Sequence, residues 1–235
     1  MEMPNSPEAA AARLLEAALN HVAFDGWSET TYRAAIADSG VDAGLARALF
    51  PRGGVDLAIA YHRQGDQAMR EALAARDLSS LRFRERVALA VRLRIEAVED
   101  REAVRRGTTL FALPQHAAEG AGLIWGTADA IWTALGDTSE DLNWYTKRAT
   151  LSGVYSATVL FWLGDDSPGH QATWEFLDRR IEDVMRFEKL KAQMRDNPLS
   201  RAVMSGPLRF LDRIRKPSAA PGLPGRWRDP SQPRA

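Results

Sequence analysis

Apolar residues recur along this chain mostly at intervals of three and four, and the alternating pattern of a half-buried strand is hard to find. Ala, Leu, Arg and Glu, which favour helices, are abundant throughout. The pattern therefore predicts an all-α protein of nine or ten helices, at about residues 6–21, 29–38, 42–50, 55–75, 81–100, 101–113, 117–135, 140–163, 168–196 and 199–215.

The first 54 residues predict a helix–turn–helix. In order, they hold an amphipathic helix with Leu14, Leu15 and Ala18, the pair Gly26–Trp27, Thr30–Thr31 at a helix start, the tight turn 38–42 and Phe50 before Pro51. A glycine in such a turn lets two helices meet at a steep angle. This order resembles the N-terminal domain of the TetR family, so we assign residues 1–54 to a TetR-like helix–turn–helix domain and residues 55–196 to a ligand-binding helical bundle.

Binding of DNA is a separate question, because a recognition helix needs donors for base edges and phosphates. The predicted third helix carries Arg47 as its cation, with Arg33 and Arg52 nearby. One hypothesis is a helix–turn–helix retained as scaffold, and the other is sequence-specific DNA binding. We favour the scaffold and do not expect DNA as a partner.

Five of the seven tryptophans lie between Trp125 and Trp174. Helical spacing places Trp125 and Trp132 on one face of the seventh helix, and it aligns a larger set on the eighth: Trp144, Arg148, Leu151, Tyr155, Val159 and Trp162. Such a stripe is common in an ordinary core. Interleaved small residues such as Gly120, Gly126 and Gly153 favour the alternative, a helix-lined cavity for an apolar ligand.

Arg148 lies on this apolar face, and a buried guanidinium needs an anion. Its partner could be one of three acidic residues: Asp129, Asp137 or Asp141. The alternative is a lipid phosphate at the mouth of the cavity, since arginine forms bidentate hydrogen bonds with phosphate.

A more specific resemblance covers the chain from the front domain to about Met185. It is carried by Asp129-x-x-Trp132, Gly136–Asp137-x-Ser139 and Asn143–Trp144–Tyr145–Thr146–Lys147–Arg148, with Asp165–Asp166–Ser167–Pro168 and Trp174–Glu175–Phe176–Leu177 further on. This string resembles the coenzyme Q (ubiquinone) biosynthesis accessory family, a TetR-like lipid-binding family that is the ninth protein of the Coq set.

The resemblance implies an isoprenoid, quinone or phospholipid ligand and docking to a hydroxylase of the ubiquinone pathway. The residues expected to bind lipid are Arg148, Trp125, Trp132, Leu151, Tyr155, Val159 and Trp162. The residues expected to dock the partner are Asp141, Asn143, Trp144 and Tyr145. We also expect a homodimer.

Residues 197–216 predict an amphipathic helix that associates with membranes. Its members are apolar Leu199, Val203, Leu208 and Leu211 with basic Arg213 and Arg215. Residues 201–235 hold eight Lys or Arg against two Asp or Glu, which suits an anionic lipid surface. An ordinary helix packed on the core or at a dimer seam is the alternative. Residues 217–235, rich in Pro, Gly and Ser, are expected to be disordered.

Composition excludes several kinds of chemistry. The chain has no cysteine and only four widely spaced histidines, and its 31 basic residues balance 31 acidic ones. No phosphate-binding or nucleophile motif occurs, so we expect no enzymatic activity, no metal and no cofactor.

The first 30 residues carry more acid than base, which favours neither a secretory nor a transit signal. We therefore predict a cytoplasmic protein associated peripherally with the inner membrane. Its predicted role is that of a non-enzymatic lipid-binding accessory protein of ubiquinone biosynthesis. The alternative is a TetR-type ligand-responsive transcriptional repressor.

Overall fold

The computed structural model describes residues 6–98, 100–140 and 142–196. Within these ranges the chain forms nine α-helices and one 3-10 turn and no strand, which confirms the predicted all-α class. They are α1 (Pro7–Asp25), α2 (Glu29–Ser39), α3 (Ala43–Leu49), α4 (Gly54–Ala74), α5 (Phe83–Glu96), α6 (Arg101–Ala112), α7 (Ala117–Ala134), α8 (Leu142–Leu163), the 3-10 turn (Pro168–His170) and α9 (Gln171–Asp196).

Short polar side chains start the three helices of the front domain. Ser6, Ser28 and Asp42 each accept a hydrogen bond from a backbone N–H in the first turn of α1, α2 or α3. Gly40 ends α2 in the left-handed conformation, at φ +63°, which most side chains disfavour. The predicted tight turn between α2 and α3 is thus present.

Gly54 lets α4 begin close against the start of α2. A Cβ atom at this position would lie 2.6 Å from the Ser28 carbonyl oxygen, so only glycine fits without a backbone shift. The predicted division of the chain at residue 54 falls at the first residue of α4.

Two hydrophobic clusters stabilise the described chain, and α4 contributes to both. Leu57 and Ala58 pack with α1, α2 and α3 in the first cluster. Met69 and Leu73 pack with α5, α7, α8 and α9 in the second. The indole N–H of Trp27 donates to the Ala103 carbonyl at 2.9 Å, so a buried hydrogen bond ties the front domain to α6.

Two predicted boundaries were wrong. Helix α5 ends at Glu96 because Asp100, expected inside it, accepts from two backbone N–H groups of α6 and caps that helix. Helix α9 begins at Gln171, not at residue 168, because Gly169 and His170 both have positive φ. Asp165 caps α9 by accepting from the Thr173 backbone N–H and hydroxyl, and the Ser167 hydroxyl accepts from the Ala172 backbone N–H.

The predicted amphipathic helix at 197–216 and the tail at 217–235 lie outside the described residues. Among the helices described, none is both long and apolar enough to cross a bilayer.

Candidate lipid cavity

An apolar cavity of about 370 Å³ lies among α4, α5, α6, α7 and α8. Its buried end includes Ala58, Ala103 and Tyr155. Ala121 and Leu160 also line the cavity and are exposed, so we take them as its mouth. The volume falls in the lower part of the usual range for ligand sites, roughly 300–1,000 Å³. We call this space the main cavity.

The predicted lipid-binding residues do not share one site. Tyr155, Val159 and Trp162 line the main cavity. Trp132 and Leu151 instead line a second apolar cavity of about 220 Å³ among α5, α7, α8 and α9. Neither cavity has Trp125 or Arg148 in its wall. The prediction of an apolar face on α8 was therefore correct, but the helices packed against α8 divide this face between two cavities.

Arg148 is almost fully buried, with 3% of its side chain exposed. Its Nε donates to Asp129 Oδ1 at 2.6 Å, and its Nη1 donates to Asp137 Oδ2 at 3.0 Å. The guanidinium also lies 4.1 Å from the centroid of the Trp144 ring. Two of the acidic partners considered from the sequence therefore bind Arg148. A lipid headgroup would therefore meet a guanidinium whose charge is already balanced by carboxylates within the chain.

Asp137 is the centre of this polar group. Its carboxylate accepts hydrogen bonds from Lys147 Nζ at 2.7 Å and from the Ser139 hydroxyl at 2.8 Å, in addition to Arg148. Burial by itself would raise the pKa of Asp137, but hydrogen bonds from Lys147, Ser139 and Arg148 outweigh it and hold the pKa well below its ordinary value. The carboxylate therefore stays charged beside Arg148.

Two of the four residues predicted to dock a partner form an aromatic group with Trp125. Trp144 and Tyr145 contact each other edge to face at 4.8 Å between ring centroids. Trp125 lies 5.9 Å from Trp144. Asn143 is exposed, and Asp141 lies outside the described residues. Trp125, expected in the lipid site, thus belongs to this aromatic group.

Sequence reasoning missed a polar network at the buried end of the main cavity. His62 Nε2 lies 2.8 Å from the Thr127 hydroxyl, which lies 2.8 Å from Asp66 Oδ1. Arg94 Nε donates to the same carboxylate oxygen at 2.6 Å. His62 and Arg94 line the cavity. The available signal was the spacing of His62 and Asp66, one helical turn apart on α4.

Burial, together with the nearby Arg94 guanidinium, lowers the pKa of His62 to about 4. The Asp66 carboxylate acts in the opposite direction but does not compensate. The imidazole is therefore neutral near pH 7. Arg94 is itself buried and paired with Asp66, so neither group brings an uncompensated charge to the cavity.

The candidate DNA-contacting cations are all engaged within the chain. Arg47 and Arg33 share the Glu29 carboxylate, at 3.1 and 3.3 Å. Arg52 pairs with Asp56 at 2.6 Å and with Glu119 of α7 at 2.9 Å. These contacts support the scaffold interpretation of the helix–turn–helix.

Comparison with solved structures supports the predicted fold. A TetR transcriptional regulator from Nitrosomonas europaea matches with a TM-score of 0.61 at 18% identity, over 73% of this chain and 95% of the regulator. At this identity the match shows the TetR-like fold and nothing further.

The family comparison matches residues 117–188 to the COQ9 family model. This range holds all of α7 and α8 and most of α9. These residues are similar to the COQ9 family, and we call the matched segment the COQ9 domain. The predicted resemblance to the coenzyme Q accessory family is thereby confirmed, and the COQ9 domain contains both the Arg148 group and the α7–α8 side of the main cavity.

Three relatives show how far the likeness extends beyond the COQ9 domain. The mitochondrial ubiquinone biosynthesis protein COQ9 of Drosophila melanogaster is 30% identical over 79% of this chain and 58% of its own length. Xenopus laevis COQ9-A is 33% identical over 77% and 59%, and human COQ9 is 28% identical over 78% and 60%. The chain thus spans about three fifths of these relatives. Their names favour the accessory-protein hypothesis over the repressor hypothesis.

Proposed function

We propose that this chain is a non-enzymatic accessory protein of ubiquinone biosynthesis. It holds an isoprenoid or phospholipid in the main cavity and presents a quinone precursor at the membrane to a hydroxylase of the pathway. The observation that carries the proposal is an apolar cavity of about 370 Å³ whose mouth is rimmed by apolar, exposed Leu160. The COQ9 relatives supply the pathway.

The physical basis for lipid binding is burial of apolar area. Each methylene that enters such a cavity contributes about 0.8 kcal/mol. The apolar rim at Ala121 and Leu160 lets a long tail continue outward, so the cavity need not hold the whole lipid.

One pair of variants tests the lipid proposal. Ala121→Phe places a large ring at the mouth, whereas Ala118→Phe makes the same change on an exposed position of α7 outside the cavity wall. We expect lipid, extracted from the purified protein and measured by mass spectrometry, in the unaltered chain and in Ala118→Phe. Ala121→Phe should lose most of it. Lipid-free unaltered protein, or equal lipid in all three, would contradict the proposal.

Hydroxylase docking has its own test. The aromatic group at Trp144 and Tyr145 is the proposed contact, as the family resemblance implies. Tyr145→Ala should weaken capture of the pathway hydroxylase in a pull-down at least about tenfold, as for an interface hot spot. The neighbouring Thr146→Ala should not. Equal capture by both variants would place the docking surface elsewhere.

A further inference from the structure

An open polar groove of about 600 Å³ runs between α4 and α7. Its charged lining residues are Arg63, Asp66 and Arg70 of α4 and Glu119 of α7. Among the described residues that line it, none belongs to the aromatic group of Trp125, Trp144 and Tyr145. The groove, which we call the α4–α7 groove, is therefore a surface separate from that group.

The charges of the α4–α7 groove are not balanced within the chain. Both acidic side chains, Asp66 and Glu119, already pair with arginines outside the groove wall, at 2.6 and 2.9 Å. Arg63 forms no hydrogen bond or ion pair with any other described residue, and Arg70 donates only to the neutral side chain of Gln67. Both arginines are exposed. The groove therefore presents two cations that no carboxylate of the described chain binds.

Two glycines on the α7 side of the groove leave the helix backbone uncovered. Gly122 and Gly126 are exposed, lie one turn apart, and have nothing within 4 Å of a Cβ atom built at either position. At Gly65 and Gly120, by contrast, a Cβ would lie 2.5 and 2.7 Å from neighbouring side chains, so internal packing accounts for those glycines. Glycine inside a helix is unfavourable relative to alanine. Since internal contacts in the described chain do not explain Gly122 and Gly126, we take them as sites of close approach from outside.

The spacing of the two arginines fits a helix as the occupant. Arg63 and Arg70 are seven residues apart on α4, which places them on one face at a separation of about 10 Å along the axis. A second helix that carries carboxylates seven residues apart repeats this separation, and arginine forms strong hydrogen bonds with carboxylates. Glycines on α7 let the backbone of such a helix come closer than larger side chains would allow.

We propose that the α4–α7 groove docks an acidic helix of a partner protein. The helix packs on Gly122 and Gly126, and two of its carboxylates, seven residues apart, pair with Arg63 and Arg70. This contact needs neither a lipid in the main cavity nor the aromatic group, so it goes beyond the proposed function. It assigns a separate protein contact to the outer faces of α4 and α7.

Two other occupants fit the groove less well. A second copy of this chain, packed symmetrically on the same face, would bring Arg63 and Arg70 of both copies together, and like charges across an interface are unfavourable. Single-stranded nucleic acid binds where cations alternate with aromatic side chains on which its bases stack. None of the described residues that line the groove is aromatic.

The test compares two fluorescein-labelled helical peptides of about 22 residues, long enough to be helical when rich in alanine. One carries glutamate and the other lysine at every seventh position. Fluorescence anisotropy measures the binding of each peptide to the full chain at low salt. We expect the glutamate peptide to bind at least about tenfold more tightly than the lysine peptide, and we expect high salt to reduce this preference.

Charge reversal assigns the preference to the groove, because the basic C-terminal residues 201–235 also attract an acidic peptide. The double variant Arg63→Glu/Arg70→Glu should bind the lysine peptide more tightly than the glutamate peptide. Arg84→Glu/Arg179→Glu is the matched control, because it changes the net charge equally at exposed positions outside the groove. This control should keep the preference for glutamate.

A second pair of variants tests the close approach to α7. Gly126→Leu places a bulky side chain in the groove and should weaken binding of the glutamate peptide about tenfold, as loss of a well-packed contact does. Gly153→Leu makes the same change at an exposed glycine of α8 outside the groove and should bind as the unaltered chain does. Both side chains would project into open space, so circular dichroism should show folded protein in each case.

Several results would overturn the proposal. They are equal or absent binding of the two peptides to the unaltered chain, an unchanged preference in Arg63→Glu/Arg70→Glu, and full affinity in Gly126→Leu. Tighter binding of single-stranded oligothymidylate than of the glutamate peptide, lost in the arginine variant, would assign the groove to nucleic acid instead. The lipid content of the purified protein is measured separately, so the proposed function stands or fails independently of these results.

Discussion

The Arg148 group allows a quantitative prediction, which compares two single substitutions on either side of one guanidinium. Asp137→Ala removes a carboxylate with only 4% of its side chain exposed, whereas Asp129→Ala removes one with 44% exposed. Both carboxylates bind Arg148. Their different burial should give very different losses of stability.

The magnitude follows from what each substitution leaves behind. Removal of one partner of a buried ion pair typically destabilises by about 3–5 kcal/mol. Asp137→Ala leaves buried Arg148 with the half-exposed Asp129 alone, and it leaves the Lys147 ammonium with only the Ser139 hydroxyl as acceptor. In Asp129→Ala, Arg148 keeps Asp137, and a half-exposed pair contributes only about 0–1 kcal/mol. Typical domains have about 5–15 kcal/mol in total, so the first loss is severe.

Urea unfolding followed by circular dichroism and tryptophan fluorescence measures both losses. We expect Asp137→Ala to lower the free energy of unfolding by at least about 2 kcal/mol more than Asp129→Ala does. A difference below about 1 kcal/mol would show that the partly exposed Asp129 compensates Arg148 as well as the buried Asp137 does, and would refute the reasoning. Arg148→Met should not reduce the amount of co-purified lipid. A marked loss would indicate that Arg148 binds the lipid headgroup after all.

Further predictions concern pH, packing, DNA and membranes. Because the pKa of His62 falls from 6.5 to about 4 on folding, the unfolded chain binds the extra proton, and stability should decline as pH falls from 6.5 towards 4. In His62→Leu, pH-dependent melts should show a shallower decline over that window; an unchanged slope would exclude His62 as its source. Gly65→Ala should lower the free energy of unfolding by about 1–3 kcal/mol, since its Cβ would lie 2.5 Å from Arg94 Nη1. Gly122→Ala is the control, because open space surrounds that position and no loss of stability is expected. Equal unfolding midpoints for the two variants would contradict this prediction. Gel-shift assays against genomic fragments should detect no tight, salt-resistant complex, and one such complex would restore the repressor hypothesis. Truncation after Asp196 should reduce flotation with anionic liposomes but leave the helical circular dichroism signal nearly intact; unchanged flotation would remove the membrane role of the last segment.

Local signals in the sequence account for most of the fold. Ser6, Asp42 and Gly40 act at the helix ends where they were expected, because caps and left-handed turns depend on neighbouring backbone groups alone. The start of α9 was missed because His170 adopts a positive φ of 56°, which side-chain-bearing residues rarely do.

The site was harder to predict because it depends on what lies opposite each helical face. Periodicity placed Leu151 and Tyr155 together on α8, and only the positions of α5, α6 and α9 assign them to different cavities. Sequence analysis included both acidic partners of Arg148, because the candidate aspartates all lie close to Arg148 in the sequence. Arg94 and Asp66 are 28 residues apart, and no local pattern links them.

The helix–turn–helix contributes to the wall of the main cavity, although its basic residues form ion pairs within the chain. Trp27, Ala58 and Tyr61, all from the front of the chain or the α4 segment packed on it, form part of that wall. Excising residues 1–54 would remove Trp27 and open the main cavity to water at that point. The helix–turn–helix therefore encloses part of the cavity, and this structural role does not depend on DNA binding.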